Sequence, residues 1–301
     1  MKFDAQNYPY ASKRSVVYAK NGMVCVGNPT AASAGLQTLL KGGNAIDAAI
    51  TVATCQPVVE PTGNGLGSDC FALIWYKGKL YGINGSGPAP MAASIAALKE
   101  RGFDKIPPYG VEPINVPGAV GAWMEIHKKF GKLPIKTVME PSINYAENGY
   151  PVSPNMSRLW EEADGFYTKY KDRPEFKGWF DTFEPNGHWL QPGEVADKID
   201  AFMQEHNGFL RKSDLEAYKP EWVEPLSVNY RGYDIWELPP NGHGITVLMA
   251  LNILKGYNFT ERDTVETMHK QIEAMKLSFV DTKEYVAEPS YMKVTAEQLL
   301  S

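Results

Sequence analysis

Gly42-Gly43-Asn44-Ala45-Ile46-Asp47-Ala48-Ala49 is the stretch on which the fold reading turns. Two glycines end one helix there, because glycine tolerates the left-handed backbone at a helix C-terminus. Asn44 opens the next helix as its N-cap. Upstream, Asn28 caps a first helix that starts at Pro29, a residue favoured in the first turn. Ala32, Leu36, Leu39 and Leu40 are predicted to share a face. The second helix is predicted from Ala45 to about Cys55, with Pro57 stopping it. Its small residues, Ala45, Ala48, Ala49 and Ala53, suit very close packing on a neighbour. Asp47 is its only charge and falls in the first turn, where the helix dipole favours an acid. This helix is expected to be buried in the middle of the domain, away from substrate.

Working outward, Met23 to Gly27 reads as a short buried strand. Phe71 to Tyr76 and Leu80 to Ile83 flank Lys77-Gly78-Lys79 as a hairpin. Gly63-Asn64-Gly65-Leu66-Gly67 precedes a strand, whereas a dinucleotide-binding glycine loop follows a strand and opens a helix. It reads either as a tight turn or as backbone approaching a pocket. Asp69, next in line, is a strand-entry turn residue or a pocket carboxylate. Helices are predicted around Val120, Trp123, Met124 and His127 up to Gly131, and from Glu194 to His206 with Val195, Ile199, Phe202 and Met203 on one face. Trp222 to Leu238 is expected to form paired strands about Arg231-Gly232, and Ile245 to Leu254 an apolar helix. Thr264 to about Tyr285 carries Val265, Met268, Ile272, Met275 and Phe279 as an apolar stripe, with Asp263 as N-cap and Glu266 as its capping-box partner. Leu159 to Gly193, rich in aromatics, Pro and Gly, reads as a surface excursion.

Hydrophobic residues make up 44% of the chain and charged residues 22%, as in ordinary soluble globular proteins. A net charge of −5 favours neither nucleic acid nor an acidic membrane surface. No apolar run is long enough to span a bilayer. Met1 to Tyr10 lacks the apolar core of a signal peptide, so a cytoplasmic location is expected. Cys25, Cys55 and Cys70 are an odd number and sit in apolar runs, which predicts buried small hydrophobes and no disulfide framework. No Cys-x-x-Cys occurs and no two of the five histidines lie at metal-ligand spacing, so no metal or cofactor is expected.

The opening stretch, read with Glu60-Pro61-Thr62-Gly63-Asn64-Gly65-Leu66-Gly67, resembles the signature of the γ-glutamyltranspeptidase superfamily of N-terminal-nucleophile hydrolases. The resemblance runs almost end to end. Asn84-Gly85-Ser86-Gly87-Pro88-Ala89-Pro90 stands where relatives carry an Arg-containing loop followed by Ala-Pro. Asn115-Val116-Pro117-Gly118-Ala119-Val120-Gly121 is close to V-P-G-x-V-x-G. Leu133-Pro134, Pro141 and Ala146 to Tyr150 match the run leading to A-x-x-G-(F/Y). Ser213 to Tyr218 and Tyr230-Arg231-Gly232-Tyr233 also match. Leu238-Pro239-Pro240-Asn241-Gly242-His243-Gly244 resembles P-P-P-S-S-G-G, with Asn241 and His243 as departures.

The resemblance implies an α+β fold, the αββα sandwich of that superfamily. Residues 1–301 would be one large-subunit domain with a helical excursion over about 120–220, completed by a missing small subunit. It implies amide hydrolysis or acyl transfer, with the N-terminal Thr nucleophile on the small subunit cut from the same precursor. No stretch here matches the Thr-Thr-(His/Gly)-x-(Ser/Cys) setting, so this chain carries no catalytic residue. The substrate-binding residues implied are Asn84, Gly85 and Ser86. True γ-glutamyl enzymes place an Arg where Ser86 stands, to pair with the substrate's α-carboxylate. A guanidinium offers a fixed fork of donors, and losing it costs about 2–5 kcal/mol of recognition. The Gly-Ser-Gly reading is closer to the cephalosporin-acylase-like branch. The expected partners are the small subunit and a small acyl-amino substrate, within a higher oligomer, and neither nucleic acid nor membrane. The alternative reading is a non-catalytic relative that only binds an acyl-amino compound.

Overall fold

The computed structural model describes residues 16–182 and 195–301. Met1 to Tyr10, the last part of the aromatic-rich excursion, and Glu194 lie outside them. Packing divides the chain into two units whose segments alternate along the sequence. One is built on Lys20–Cys70 and Gly85–Pro220, the other on Phe71–Asn84 and Glu221–Ser301.

The first unit is helical. Helix α1 (Pro29–Leu40) opens on Asn28, whose side chain accepts the N–H of Thr30 at 2.9 Å and of Ala31 at 3.4 Å. The amide of Asn28 also donates to the Val59 carbonyl at 3.2 Å, tying the start of α1 to the end of α2 (Ala45–Val59). The buried face of α1 is Ala31, Ala34, Gly35 and Thr38, while Leu36 and Leu40 are exposed. The face carrying the leucines is therefore not the buried one, which lies about one position away. Small residues let α1 lie closer to α2 than leucines would.

Helix α2 runs past Pro57, contrary to the expected stop. A proline loses one N–H and crowds the preceding turn, yet the Glu60 N–H still reaches the Gln56 carbonyl at 2.8 Å and Val59 is completely buried. Packing of the last turn outweighs the local penalty. The buried face is Ile46, Asp47, Ala48, Ile50, Thr51, Thr54 and Cys55. Ala45 and Ala49 are exposed, so the expected alanine face is only partly right. Met23 to Gly27 forms no strand, because no neighbouring strand pairs with it among the described residues.

The remaining helices of this unit are α3 (Ile95–Glu100), α4 (Ala119–Phe130), α5 (Ile135–Asn148), α6 (Pro154–Tyr167), α7 (Lys177–Thr182), α8 (Val195–Glu205) and α9 (Lys212–Ala217). Helices α4 and α5 pack on α2. The Thr51 hydroxyl lies 2.8 Å from that of Thr38 and 3.0 Å from the Val138 carbonyl, joining α1, α2 and α5. On α4 the buried side is Ala122, Trp123, Ile126 and Phe130, with Val120 and Met124 exposed. The described part of the excursion is helical and held by aromatic contacts, Tyr167 lying 4.7 Å from Trp179 and Tyr170 stacking on Phe176 at 4.9 Å.

The second unit holds the sheets. Strands β1 (Cys70–Tyr76), β2 (Lys79–Gly85) and β3 (Glu221–Val223) pair in that order, with Gly82 opposite Val223 and Asn84 opposite Glu221. The β1–β2 turn uses positive φ at both Lys77 (49°) and Gly78 (82°). This is the turn geometry whose twist matches that of a hairpin. Strands β4 (Leu226–Tyr230) and β5 (Tyr233–Glu237) form a second hairpin with the same device at Arg231 and Gly232. Helices α10 (Gly244–Leu254), α11 (Val265–Tyr285) and α12 (Ala296–Leu299) complete the unit.

The N-cap of α11 is Thr264, whose hydroxyl accepts the Thr267 N–H at 3.1 Å. Asp263 was the expected cap, but it has φ +57° and so lacks the extended backbone a cap requires. The side of α11 that is buried carries Thr267, Ala274, Ser278 and Thr282, and the Thr282 hydroxyl lies 2.7 Å from that of Thr246 on α10. Val265, Met268, Ile272 and Phe279 of the predicted apolar stripe are exposed. The apolar stripe has the helical period but is not the buried side, because small polar residues let two helices approach closely. Mixed helix and sheet make the fold α+β, as the sequence implied.

Candidate functional site

Three of the residues expected to bind substrate follow one another across the end of β2. Asn84 and Gly85 are its last two residues, and Ser86 comes next. Asn84 belongs to the sheet unit. Its side-chain Nδ2 donates to Oδ1 of Asn241 at 2.7 Å, a contact between residues 157 apart in sequence. Asn241 lies in the loop that enters α10. That loop is one of the stretches carrying the family resemblance, but nothing in the sequence pairs it with Asn84. The only hint was that Asn241 departs from the family pattern.

Gly85 and Ser86 belong to the helical unit. Gly85 is buried, and a Cβ there would lie 2.8 Å from the Ala122 Cβ and 2.9 Å from the Cys70 carbonyl oxygen. Gly87 has φ +72°, and a Cβ on it would overlap the Val116 carbonyl oxygen. Both positions require glycine, one for close approach and one for backbone angle as well. The Val116 N–H donates to the Pro88 carbonyl at 3.0 Å, and the N–H groups of Gly118 and Ala119 donate to the Ser68 carbonyl at 3.1 and 2.9 Å. The Gly85–Pro90 and Asn115–Gly121 stretches are thus one backbone-to-backbone contact at the start of α4. Their glycines read separately in sequence and act together in space.

Ser86 is half-buried between these two fixed glycines. It presents a neutral hydroxyl where a guanidinium would present a charge and five donors. The nearby thiol of Cys70 is held above its ordinary value, chiefly by burial, against a lowering contact with Trp123 and with a further rise from Asp69. A thiol held protonated is a poor nucleophile.

The glycine stretch Gly63 to Gly67 is a turn. The Gly63 N–H reaches the Glu60 carbonyl at 3.3 Å, the Ser68 N–H reaches that of Gly65 at 3.2 Å, and the Asn64 amide donates to the Glu60 carbonyl at 3.1 Å. A Cβ on Gly63 or Gly67 would meet nothing within 4 Å, so no close approach demands glycine there. Asp69 is exposed at the entry to β1. Two clefts lie elsewhere. One of about 690 Å³ is bordered by Asn229, Asn252, Asp281 and Leu300, and one of about 230 Å³ by Tyr109, Tyr167, Glu175 and Phe202. No cluster of three metal-ligating side chains occurs among the described residues, and no helix among them is long and apolar enough to cross a membrane. Of the three cysteines, Cys55 is buried, Cys70 half-buried and Cys25 exposed, so the expectation of three buried thiols fails for Cys25.

The model of the gamma-glutamyltranspeptidase family matches residues 31–196 and 189–301. A glutathione hydrolase-like proenzyme of Bacillus subtilis is 34% identical, the match covering 95% of this chain and 59% of the relative. An acylase proenzyme of a Pseudomonas species is 29% identical over 97% of this chain and 58% of its own length. Among solved structures, cephalosporin acylase from Bacillus halodurans is 51% identical with a TM-score of 0.92, covering all of this chain and 61% of that one. A gamma-glutamyltranspeptidase from Pseudomonas nitroreducens, complexed with L-DON, is 26% identical with a TM-score of 0.83, covering 94% of this chain and 92% of that one. The chain spans about three-fifths of the curated relatives it matches. It belongs to the gamma-glutamyltranspeptidase family, and its fold is that of the family's N-terminal-nucleophile hydrolases.

Proposed function

We propose that this chain is the large-subunit portion of an acylase-like amide hydrolase or acyl transferase. The Thr nucleophile would be the first residue of a small subunit released from the same precursor. The supporting observation is the 51% identity with a cephalosporin acylase over the whole of this chain and 61% of that protein. A Thr nucleophile needs its own α-amino group as base, and a chain supplying only pocket walls is expected to be inactive alone. The exposed apolar residues of α11, Val265, Met268, Ile272 and Phe279, suit a partner surface. In this reading residues 1–301 act as one large-subunit domain.

Asn84, Gly85 and Ser86 would line the acyl side of the pocket. With Ser86 in place of Arg, the substrate is an acyl-amino compound not selected for a γ-glutamyl α-carboxylate. The test uses the complete, processed protein. Mass spectrometry should find a companion polypeptide beginning with Thr. Turnover of γ-glutamyl amides should be weaker than that of other acyl amides, and Ser86→Arg should raise it. A strong native preference for γ-glutamyl donors that Ser86→Arg does not improve would refute the assignment.

A further inference from the structure

We infer that Asn241 is a positioning residue for the substrate loop, holding Asn84 through its side-chain carbonyl and thereby setting substrate affinity. The inference rests on the function proposed above. The loop from Leu238 to Gly244 touches β2 at two places on one face of the strand. Gly82 and Asn84 are two residues apart, so their side-chain directions coincide. At Gly82 a Cβ would come within 2.6 Å of the Leu238 Cδ2, so the absent side chain makes room for buried Leu238. At Asn84 the amide donates to Asn241 at 2.7 Å. An apolar contact sets the height of the loop over the strand, and the hydrogen bond sets its register.

The second contact stands one peptide from Gly85 and two residues from Ser86, where β2 leaves its register with β3. Asn84 is the last residue of β2 in register with β3. Past it, β2 ends at Gly85 and no longer has β3 beside it. A half-buried amide-to-carbonyl bond at that point restrains the chain where the β3 ladder ends. Both partners are neutral, so the restraint persists across the pH range in which the protein is folded. Asn241 is also a position where the loop departs from P-P-P-S-S-G-G. A serine side chain is shorter than that of Asn and reaches less far.

The experiment measures KM and kcat for a neutral acyl amide, and the melting temperature, on the complete processed protein. The variants are Asn241→Leu, Asn84→Ala, their combination, and Asn241→Asp, which keeps an acceptor oxygen in place. Each single loss should raise KM about tenfold with kcat within about threefold, the split expected of a ground-state binding interaction. The double variant should be no worse than Asn84→Ala alone, since Asn241 acts through Asn84. Asn241→Asp should stay within about twofold of the parent, because a carboxylate accepts the same N–H. KM effects that multiply in the double variant, or a fall in melting temperature with KM unchanged, would overturn the inference and leave the proposed function standing. If Asn241→Leu does not process, Asn241→Asp decides alone: a tenfold rise in KM there overturns the inference, and parental KM supports it. A parent protein that turns over no acyl amide removes the proposed function, and the inference with it.

Discussion

The carboxylate of Asp47 accepts the backbone N–H of Leu133, 86 residues further along the chain, at 3.2 Å. The same carboxylate accepts the Lys132 N–H at 3.0 Å and closes a capping box on the Asn44 N–H at 2.9 Å. Asn44 in turn donates its side-chain amide to the Phe130 carbonyl at 2.7 Å. The start of α2 therefore interlocks with the end of α4 and the turn into α5. A helix dipole alone asks only for an acid near the first turn. This acid is completely buried and accepts three backbone N–H groups.

Replacing it should be costly. Asp47→Ala strands the N–H groups of Asn44, Lys132 and Leu133, and should lower stability by about 3 kcal/mol or more. Asp47→Asn keeps one acceptor oxygen and should cost less. Urea unfolding of the complete protein measures both, and a loss under about 0.5 kcal/mol for Asp47→Ala would contradict this account.

Adjacent alanines on α2 should respond in opposite ways. Ala48 is 3% exposed, so Ala48→Leu should overpack the helix junction at a cost of about 1–3 kcal/mol. Ala49 faces outward in this chain, and Ala49→Leu should change the stability of the lone chain by less than about 0.5 kcal/mol. Paired melting curves decide it, and equal losses would place the buried face wrongly.

Gly87→Ala should disrupt the Gly85–Pro90 loop, proposed above to face substrate. The added methyl meets the Val116 carbonyl, and φ +72° is unfavourable for any side chain. A loss of about 2 kcal/mol or more is expected, together with weaker substrate binding. Parental stability and parental KM in this variant would show that the loop does not rest on Val116.

The cysteines should separate by reactivity. Burial pushes the Cys55 thiol up to about 12, whereas Cys25 is exposed. At pH 8 the folded chain holds only about one part in ten thousand of Cys55 as thiolate, and the thiolate is the reactive form. Alkylation followed by peptide mapping should mark Cys25 first and Cys55 only on unfolding. The unfolded thiol ionises from its ordinary value of 9.0, and the folded one only near 12. Alkali therefore draws the equilibrium toward the unfolded chain as pH rises from 9 to 12, and this contribution is absent below pH 9. Early labelling of Cys55 in the folded protein would contradict its burial.

Local chemistry was legible in the sequence because it depends on neighbours along the chain. Asn28 and Asn44 cap their helices, Lys77-Gly78 and Arg231-Gly232 turn their hairpins, and Gly131 closes α4, each from residues within a few positions. The ordered motifs also named the family, and with it the α+β fold. What only tertiary structure decided is which side of each helix is covered, and by what. Leu36 and Leu40 of α1 and Met268 and Ile272 of α11 carry the hydrophobic period, yet Ala31, Ala34, Ser278 and Thr282 are the residues buried. Small side chains win those positions because close helix approach excludes larger ones, and that depends on the partner helix. The bond between Asn84 and Asn241 and the acceptance of the Leu133 N–H by Asp47 join residues 157 and 86 positions apart. No local rule reaches that far. Such pairs exist only once the chain has folded and brought their polar groups within hydrogen-bonding distance.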